Sequence, residues 1–339
     1  MMIGTTYMGM IEDVLGLVDR DTVLDRFRGA LLGCAVGDAL GAPVEGMTAG
    51  EIASSHGGVR GFLDGRGGAG AVTDDTQMTI VLAQSIIEIG RFDLEHAAFK
   101  LGRWMEYSDN GVNDARRVGL TCATACRKLY RGATPRESGV PSAGCGAASR
   151  VGPVGLFLHH DPESARRAAV AQGAITHTDT EALAGAAAVA FLVASGVNLS
   201  GGPDRSALLR GAADVAASID AALAGRLEGL GGYLGADAAE GFAFTGTGCY
   251  VMEAVPAAVL AFLRSPLDFE RAVLTAVNAG GCSCSIGAMA GTVAGAFNGA
   301  SGIPEQLREN VEGSRYIETL AARLFSLTPA ARPGRRPLL

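Results

Sequence analysis

Residues 25–45 read DRFRGALLGCAVGDALGAPVE, and within them Gly29, Gly33, Gly37 and Gly41 recur at every fourth position. The same spacing returns near the other end of the chain, at Gly287, Gly291, Gly295 and Gly299. Residues four apart share one face of an α-helix. Each stretch therefore predicts a helix with a bare ridge, along which another backbone can come close. Glycine inside a helix costs up to about 1 kcal/mol relative to alanine. Close packing has to offset that cost, so the two ridges are predicted to touch or to flank one crowded centre.

Outward from these two stretches, apolar residues recur at helical spacing over 25–41, 79–90, 94–106, 115–131, 163–173, 180–197, 207–225, 250–264, 268–278 and 286–298. Alternating, strand-like segments are scarce. Breakers fall between the helical stretches at Gly90, Pro135 and Pro141, in the loop 198–203 and in the glycine-rich run 229–235. No composition shift or internal repeat divides the chain. The expected fold class is all-α: a compact single-domain helical bundle over residues 1–328, followed by a disordered Pro/Arg-rich tail, 329–339.

Composition narrows the function classes. With 28 Lys+Arg against 35 Asp+Glu, the net charge of −7 lacks the basic stripe of a nucleic-acid binder. Charged residues at 19% beside 48% hydrophobic ones exclude an unfolded chain. The pairs Arg116-Arg117, Arg127-Lys128 and Arg335-Arg336 are expected to be solvated surface. The longest apolar run, Ala182–Val197, is shorter than the roughly 20 residues of a membrane span, so a buried core helix is expected and no membrane partner. No secretory signal is visible, which points to the cytoplasm. Seven cysteines, an odd count, suit reduced thiols better than a disulfide framework. Five of them (34, 122, 126, 145, 249) are expected to be ordinary buried thiols.

Two stretches carry oxygen chemistry. Asp38 sits among Ala, Leu and Gly, a poor place for an unpaired carboxylate, and Glu45 follows Pro43 just past that helix. Residues 72–78, VTDDTQM, open the helix that runs to Gly90. A local account makes Thr73 an N-cap, with Asp74 and Asp75 favoured by the helix dipole. A chemical account makes the adjacent carboxylates and the hydroxyl a site for a hard ion such as Mg²⁺, Mn²⁺ or Ca²⁺.

The chain resembles the ADP-ribosylglycohydrolase family. The resemblance is carried by residues 25–45, by TDDTQM at 73–78, by GCGAASRVGPVGL from Gly144 and by ITH at 175–177. It continues through EALAGAAAVA from Glu181 and GTGCYVMEAVPAAVLAFLR from Gly246 to NAGG at 278–281. It implies an all-α fold around a centre of Mg²⁺ or Mn²⁺, and hydrolysis of an N- or O-glycosidic bond to ADP-ribose or a related ribosyl group. The partners implied are an ADP-ribosylated protein or an ADP-ribosyl small molecule. Carried over by position, Thr73, Asp74 and Asp75 become metal ligands, with Glu45, Asp74 and Asp75 catalytic. Glu45 is then a ligand, a general base or a gate. The loop Gly144–Arg150, with Gly144, Cys145 and Gly146 foremost, and His177 line the ligand pocket, Asp109 and Gly111 lie near the phosphates, and Tyr250 stacks or packs there. His177 alone would be taken for a structural histidine. A thiolate nucleophile at Cys145 finds no supporting motif.

One departure stands out. Where the family typically reads GGDTDT, residues 280–285 read GGCSCS. Ser285 keeps a hydroxyl able to ligate, whereas Cys282 and Cys284 replace hard carboxylates with thiols that prefer softer ions such as zinc. Three expectations stay open: an enzyme holding one hard ion rather than two, a non-catalytic ADP-ribose or nucleotide binder, and an enzyme repurposed to a soft metal or to the Cys282 and Cys284 thiols.

Overall fold

The computed structural model describes residues 18–331. In chain order the α-helices among them are α1 (Arg20–Gly41), α2 (Ala49–His56), α3 (Asp74–Ile89), α4 (Leu94–Asp109), α5 (Leu120–Tyr130), α6 (Pro135–Ser138), α7 (Gly146–Ser149), α8 (Gly152–Phe157) and α9 (Pro162–Ala174). They continue as α10 (Thr180–Asn198), α11 (Arg205–Ala217), α12 (Ala221–Glu228), α13 (Ala238–Thr245), α14 (Val251–Arg264), α15 (Phe269–Asn278), α16 (Ser283–Asn298), α17 (Glu305–Asn310) and α18 (Ser314–Ser326). Extended pairing among the described residues is limited to isolated bridges, such as Thr48 with Gly280 and Gly144 with Tyr250. The fold is all-α, as expected.

The two glycine ridges do meet. Helices α1 and α16 lie antiparallel, with Gly29 against Gly295, Gly33 against Gly291 and Gly37 against Gly287. Gly41 lies against Ser283, and Gly299 against Asp25. A Cβ added at any inner rung would overlap a carbonyl oxygen of the partner helix. Backbone contact this close brings Cα–H groups onto facing carbonyls and gathers dispersion contacts along the pair, which offsets the propensity cost of glycine. Almost all of α16 is buried, and the core forms around this pair.

Several boundaries differ from the periodic pattern. The stretch 115–131 becomes helical only at Leu120, because Arg117 takes a left-handed conformation (φ 58°) and Gly119 is the N-cap. The stretch 207–225 breaks in two, because the Asp220 side chain accepts from Ala222 N–H and Leu223 N–H and starts α12. Helix α18 was not anticipated, although Ile317, Leu320, Ala321, Leu324 and Phe325 form a regular buried stripe on it. Helix α10 is long and apolar enough to cross a membrane by composition, and lies mostly buried inside the fold. Of the tail, Pro329–Ala331 form a 3₁₀ turn, and 332–339 and Arg335-Arg336 lie outside the described residues.

Candidate active centre

Three helix ends converge at the C-terminal half of α1. Asp38 projects from α1 and is fully buried. Its carboxylate accepts from Thr73 N–H (2.8 Å), Thr73 Oγ1 (2.7 Å), Thr76 N–H (3.2 Å) and Thr76 Oγ1 (2.6 Å). Asp38 thus caps the start of α3 from a neighbouring helix and fixes where Thr73, Asp74 and Asp75 stand. Thr73 is the N-cap, and its hydroxyl accepts from Asp75 N–H.

Asp75 faces the first turn of α16, where Ser285 Oγ donates to its Oδ2 at 2.8 Å. Asp38, Asp75 and Cys284 bring one ligand atom each within 4.8 Å of one another. Glu45, just beyond α1, accepts from the Cys284 N–H at 2.9 Å through Oε2. It supplies the cap that α16 lacks, since its own N-cap residue, Cys282, makes no side-chain cap. Burial pushes the pKa of Asp38 up to about 7, aided by the Asp75 charge. Burial likewise raises Asp74, Asp75 and Glu45. Carboxylates crowded in this way, with hydroxyls among them, are a donor set for a hard divalent ion. Among the described residues, Asp38, Asp75 and Cys284 form a group able to hold a metal ion.

The other half of the centre has different chemistry. Gly280 and Gly281 both take left-handed conformations (φ 78° and 70°). A side chain at Gly280 would strike the backbone of residues 47–49, and one at Gly281 would strike Thr247. The bonds Gly46 N–H to Gly281 O (2.8 Å), Gly281 N–H to Met47 O (2.8 Å) and Cys282 N–H to Thr247 O (2.7 Å) lock this turn. Cys282 is thereby delivered onto Cys249, and the two form a disulfide. This corrects two expectations: one pair of cysteines is bonded, and Cys249 is exposed rather than an ordinary buried thiol. Glu45 touches both positions: Cys282 lies with Cys249 and Cys145 on one side of it, and Cys284 lies with Asp75 on the other.

A third group supports the centre from behind. Arg150 is fully buried. It donates to Gln172 Oε1 (2.9 Å), Gln172 O (3.0 Å), Gly146 O (3.1 Å) and Thr176 Oγ1 (2.7 Å). Its charge favours ionised Asp75 and neutral His177. Burial is the larger cause at His177, whose pKa falls to about 3. His177 Nδ1 meets Thr176 Oγ1 at 2.8 Å, and the ring lies against the bare backbone of Gly144 and Gly146. Tyr250 is 44% exposed at the rim, and its hydroxyl donates to Glu181.

The structure thus gathers Thr73, Asp74, Asp75, Glu45, Cys284 and Ser285 at one end of the α1–α16 pair, with Gly144, Cys145, Gly146, His177 and Tyr250 forming a connected wall. Asp109 is engaged by its own neighbours: Arg127 pairs with it at 2.7 Å and Tyr130 donates to it, which lowers its pKa to about 2. Gly111 lies in open space on that same turn. Arg127, although paired, lies at the solvated surface as expected, whereas Arg116 is largely covered in a pair with Glu312 (2.6 Å). Sequence reasoning flagged Asp38 as misplaced without assigning it to the site, and placed Arg150 only as the last residue of the pocket-lining loop 144–150, not as a buried support. A buried carboxylate in an apolar helix was the available signal for the first.

Fold and site together define an all-helical protein whose polar centre is built from buried carboxylates and hydroxyls at converging helix ends. The ADP-ribosylglycohydrolase family model matches residues 19–334, and the chain belongs to that family of hydrolases of ADP-ribose linkages. A protein of Archaeoglobus fulgidus is 37% identical over 306 residues, covering 89% of this chain and 97% of its own. ADP-ribosylarginine hydrolase Tri1 of Pseudomonas putida is 30% identical over 316 residues, covering 91% and 80%. The solved structure of an ADP-ribosylglycohydrolase-related protein complex superposes with a TM-score of 0.74 at 30% identity, over 91% of this chain and 99% of that one.

Proposed function

We propose that this protein is a cytoplasmic hydrolase that cleaves a glycosidic bond between ADP-ribose, or a related ribosyl group, and a protein side chain or small-molecule acceptor. The centre would use one hard divalent ion, Mg²⁺ or Mn²⁺. The observation that supports this most is the meeting of Thr73, Asp75 and Ser285 beside Glu45, braced by Asp38, with Asp74 buried next to them. Thr73, Asp74, Asp75 and Ser285 would hold the ion. When bound, such an ion polarises hydroxyls and lowers the pKa of water.

The chain's own groups do the rest. Asp38 keeps Thr73 and Asp75 at fixed positions. Glu45 is tied through Oε2 to α16, which leaves Oε1 to take the proton from the attacking water. Neutral His177 and the uncovered backbone of Gly144 and Gly146 provide a flat, uncharged wall for the ADP-ribosyl moiety. Tyr250 offers an exposed ring beside that wall. The precedent of Tri1 makes ADP-ribosylarginine the first substrate to test.

The test is release of ADP-ribose from ADP-ribosylated arginine and serine peptides with Mg²⁺ or Mn²⁺, beside calorimetric binding of ADP-ribose. Turnover in the wild type that disappears in Asp75→Asn supports hydrolysis. Binding of ADP-ribose without turnover on any linkage would leave a ligand-binding member of the family.

A further inference from the structure

Around Cys282 stand its disulfide partner Cys249, the Cys145 thiol and the Glu45 carboxylate, brought from three distant segments. Cys145 Sγ lies 3.9 Å from Cys282 Sγ. Cys249 Sγ lies 3.9 Å from Glu45 Oε1. Glu45, Cys249 and Cys282 bring one ligand atom each within 4.8 Å of one another. This group shares no residue with the Asp38, Asp75 and Cys284 group.

We infer that reduction of the Cys249–Cys282 bond opens a second metal site, in which Cys145, Cys249, Cys282 and Glu45 bind one soft divalent ion of the zinc class. Three thiolates and one carboxylate make a four-coordinate set of the type zinc accepts, and one that magnesium or manganese does not favour. The spacing agrees: with Zn–S bonds of about 2.3 Å, two thiolates on a tetrahedral ion stand about 3.8 Å apart. That spacing is met by Cys145 and Cys282; the Cys249–Cys282 contact must lengthen and Cys145 must draw in toward Glu45 and Cys249, and since Cys249 is exposed its side chain can turn and the ion can enter beside it.

The ligands are already oriented by backbone bonds. Cys145 N–H donates to Cys249 O at 3.1 Å, and Cys282 N–H to Thr247 O at 2.7 Å. The Cys284 N–H holds Glu45 Oε2 and leaves Oε1 pointing at the thiols. A disulfide whose purpose was only to join Cys249 to Cys282 would need neither Cys145 nor Glu45 nearby. In the opening step a dithiol reductant gives two electrons and two protons to the S–S bond and becomes a disulfide itself. Metal binding then releases thiol protons. The bonded and metal-bound forms exclude one another. The site stands whether or not the chain hydrolyses ADP-ribosyl bonds.

The experiment titrates the full chain with Zn²⁺ against a chromophoric chelator, after phosphine reduction and after oxidation. A parallel titration with Co²⁺ reads thiolate-to-metal absorption. Reduced protein should bind one tight zinc, with cobalt absorption of three thiolates. Oxidation, Cys249→Ser or Cys282→Ser should weaken binding at least about 100-fold, whereas Cys284→Ser and Asp75→Asn should change it less than about 3-fold. Cys145→Ser should remove one thiolate from the cobalt spectrum, and the wild-type spectrum reads the ligand count even if a variant does not fold. Reduced protein that binds zinc no better than the oxidised form overturns the inference. So does a thiolate signal that survives Cys249→Ser and is lost in Cys284→Ser.

Discussion

Replacing Gly33 with alanine is the sharpest test of how α1 and α16 hold together. A Cβ at Gly33 would stand 2.8 Å from the carbonyl carbon of Gly291 and 3.0 Å from the Phe269 ring. Carbon atoms in contact settle at about 3.5–4.0 Å. The helices must part by roughly 1 Å at that rung, and a gap of this size forfeits between about a quarter and a half of the contact energy of the atoms facing it. Overpacking costs about 1–3 kcal/mol. The obstructing atoms are largely backbone and cannot rotate away, so the upper end applies. Alanine returns up to about 1 kcal/mol of helix propensity, leaving a net loss of about 2 kcal/mol. Unfolding entropy of about 2.1 cal/mol/K per residue over 339 residues converts this to a fall in Tm of about 3 °C. Scanning calorimetry reads it, with Gly225→Ala as the control. Gly225 lies in α12 with open space around its Cβ position, so alanine there should stabilise by about 0.5–1 kcal/mol. A Gly33→Ala protein that melts at or above wild type would refute the backbone-contact account.

Other outcomes can be checked with similar means. Arg150→Met strands the carbonyl and hydroxyl acceptors around the guanidinium and should cost about 3 kcal/mol in urea unfolding; Arg150→Lys should not restore it, because one ammonium cannot reach the same fork. His159 is buried, with its pKa lowered to about 4 by desolvation. The unfolded chain, with an imidazole near 6.5, therefore binds a proton that the folded chain does not. Stability should fall as pH drops through the window from about 6.5 to about 4, by about 2 kcal/mol between pH 7 and pH 5 from this residue, and His159→Gln should flatten that slope. Asp109→Asn breaks an exposed pair with Arg127 and should change stability by less than about 1 kcal/mol; retained ADP-ribose affinity would place the phosphates away from Asp109. Gly41→Ala should displace Ser283 and Cys284, and so reduce Mg²⁺ affinity more than Gly33→Ala does.

The parts of this molecule that were legible in sequence are those written at fixed spacing. The glycine ridges announced both helices and their contact, because only repeated absence of a side chain permits that approach. Thr73 declared the start of α3 for the same reason: a hydroxyl before two acids is local capping chemistry. What spacing cannot convey is pairing across long separations. Cys249 and Cys282 meet because a left-handed Gly280-Gly281 turn is threaded between Met47 and Thr247. The role of Asp38 depends on α3 arriving beside it, and that of Arg150 on Gln172 and Thr176 closing around its fork. The one-turn helices, such as α7 and α8, are too short to show a period.

The antiparallel pairing of α1 and α16 also acts as a gauge of length. Each rung matches one numbered position on α1 to one on α16, and Asp38 and Ser285 both lie between the Gly37–Gly287 rung and the Gly41–Ser283 rung. Loss of a single residue between Gly29 and Asp38 would turn everything after it by about 100° and draw it back about 1.5 Å. Asp38 would then point away from Thr73 while α16 stayed in place. Insertions and deletions in these two helices should thus be tolerated only outside the span from Gly29 to Gly41 and its partner from Ser283 to Gly295. Length changes that distinguish one relative from another are expected in the loops around the centre, where they can reshape what enters without moving what holds it.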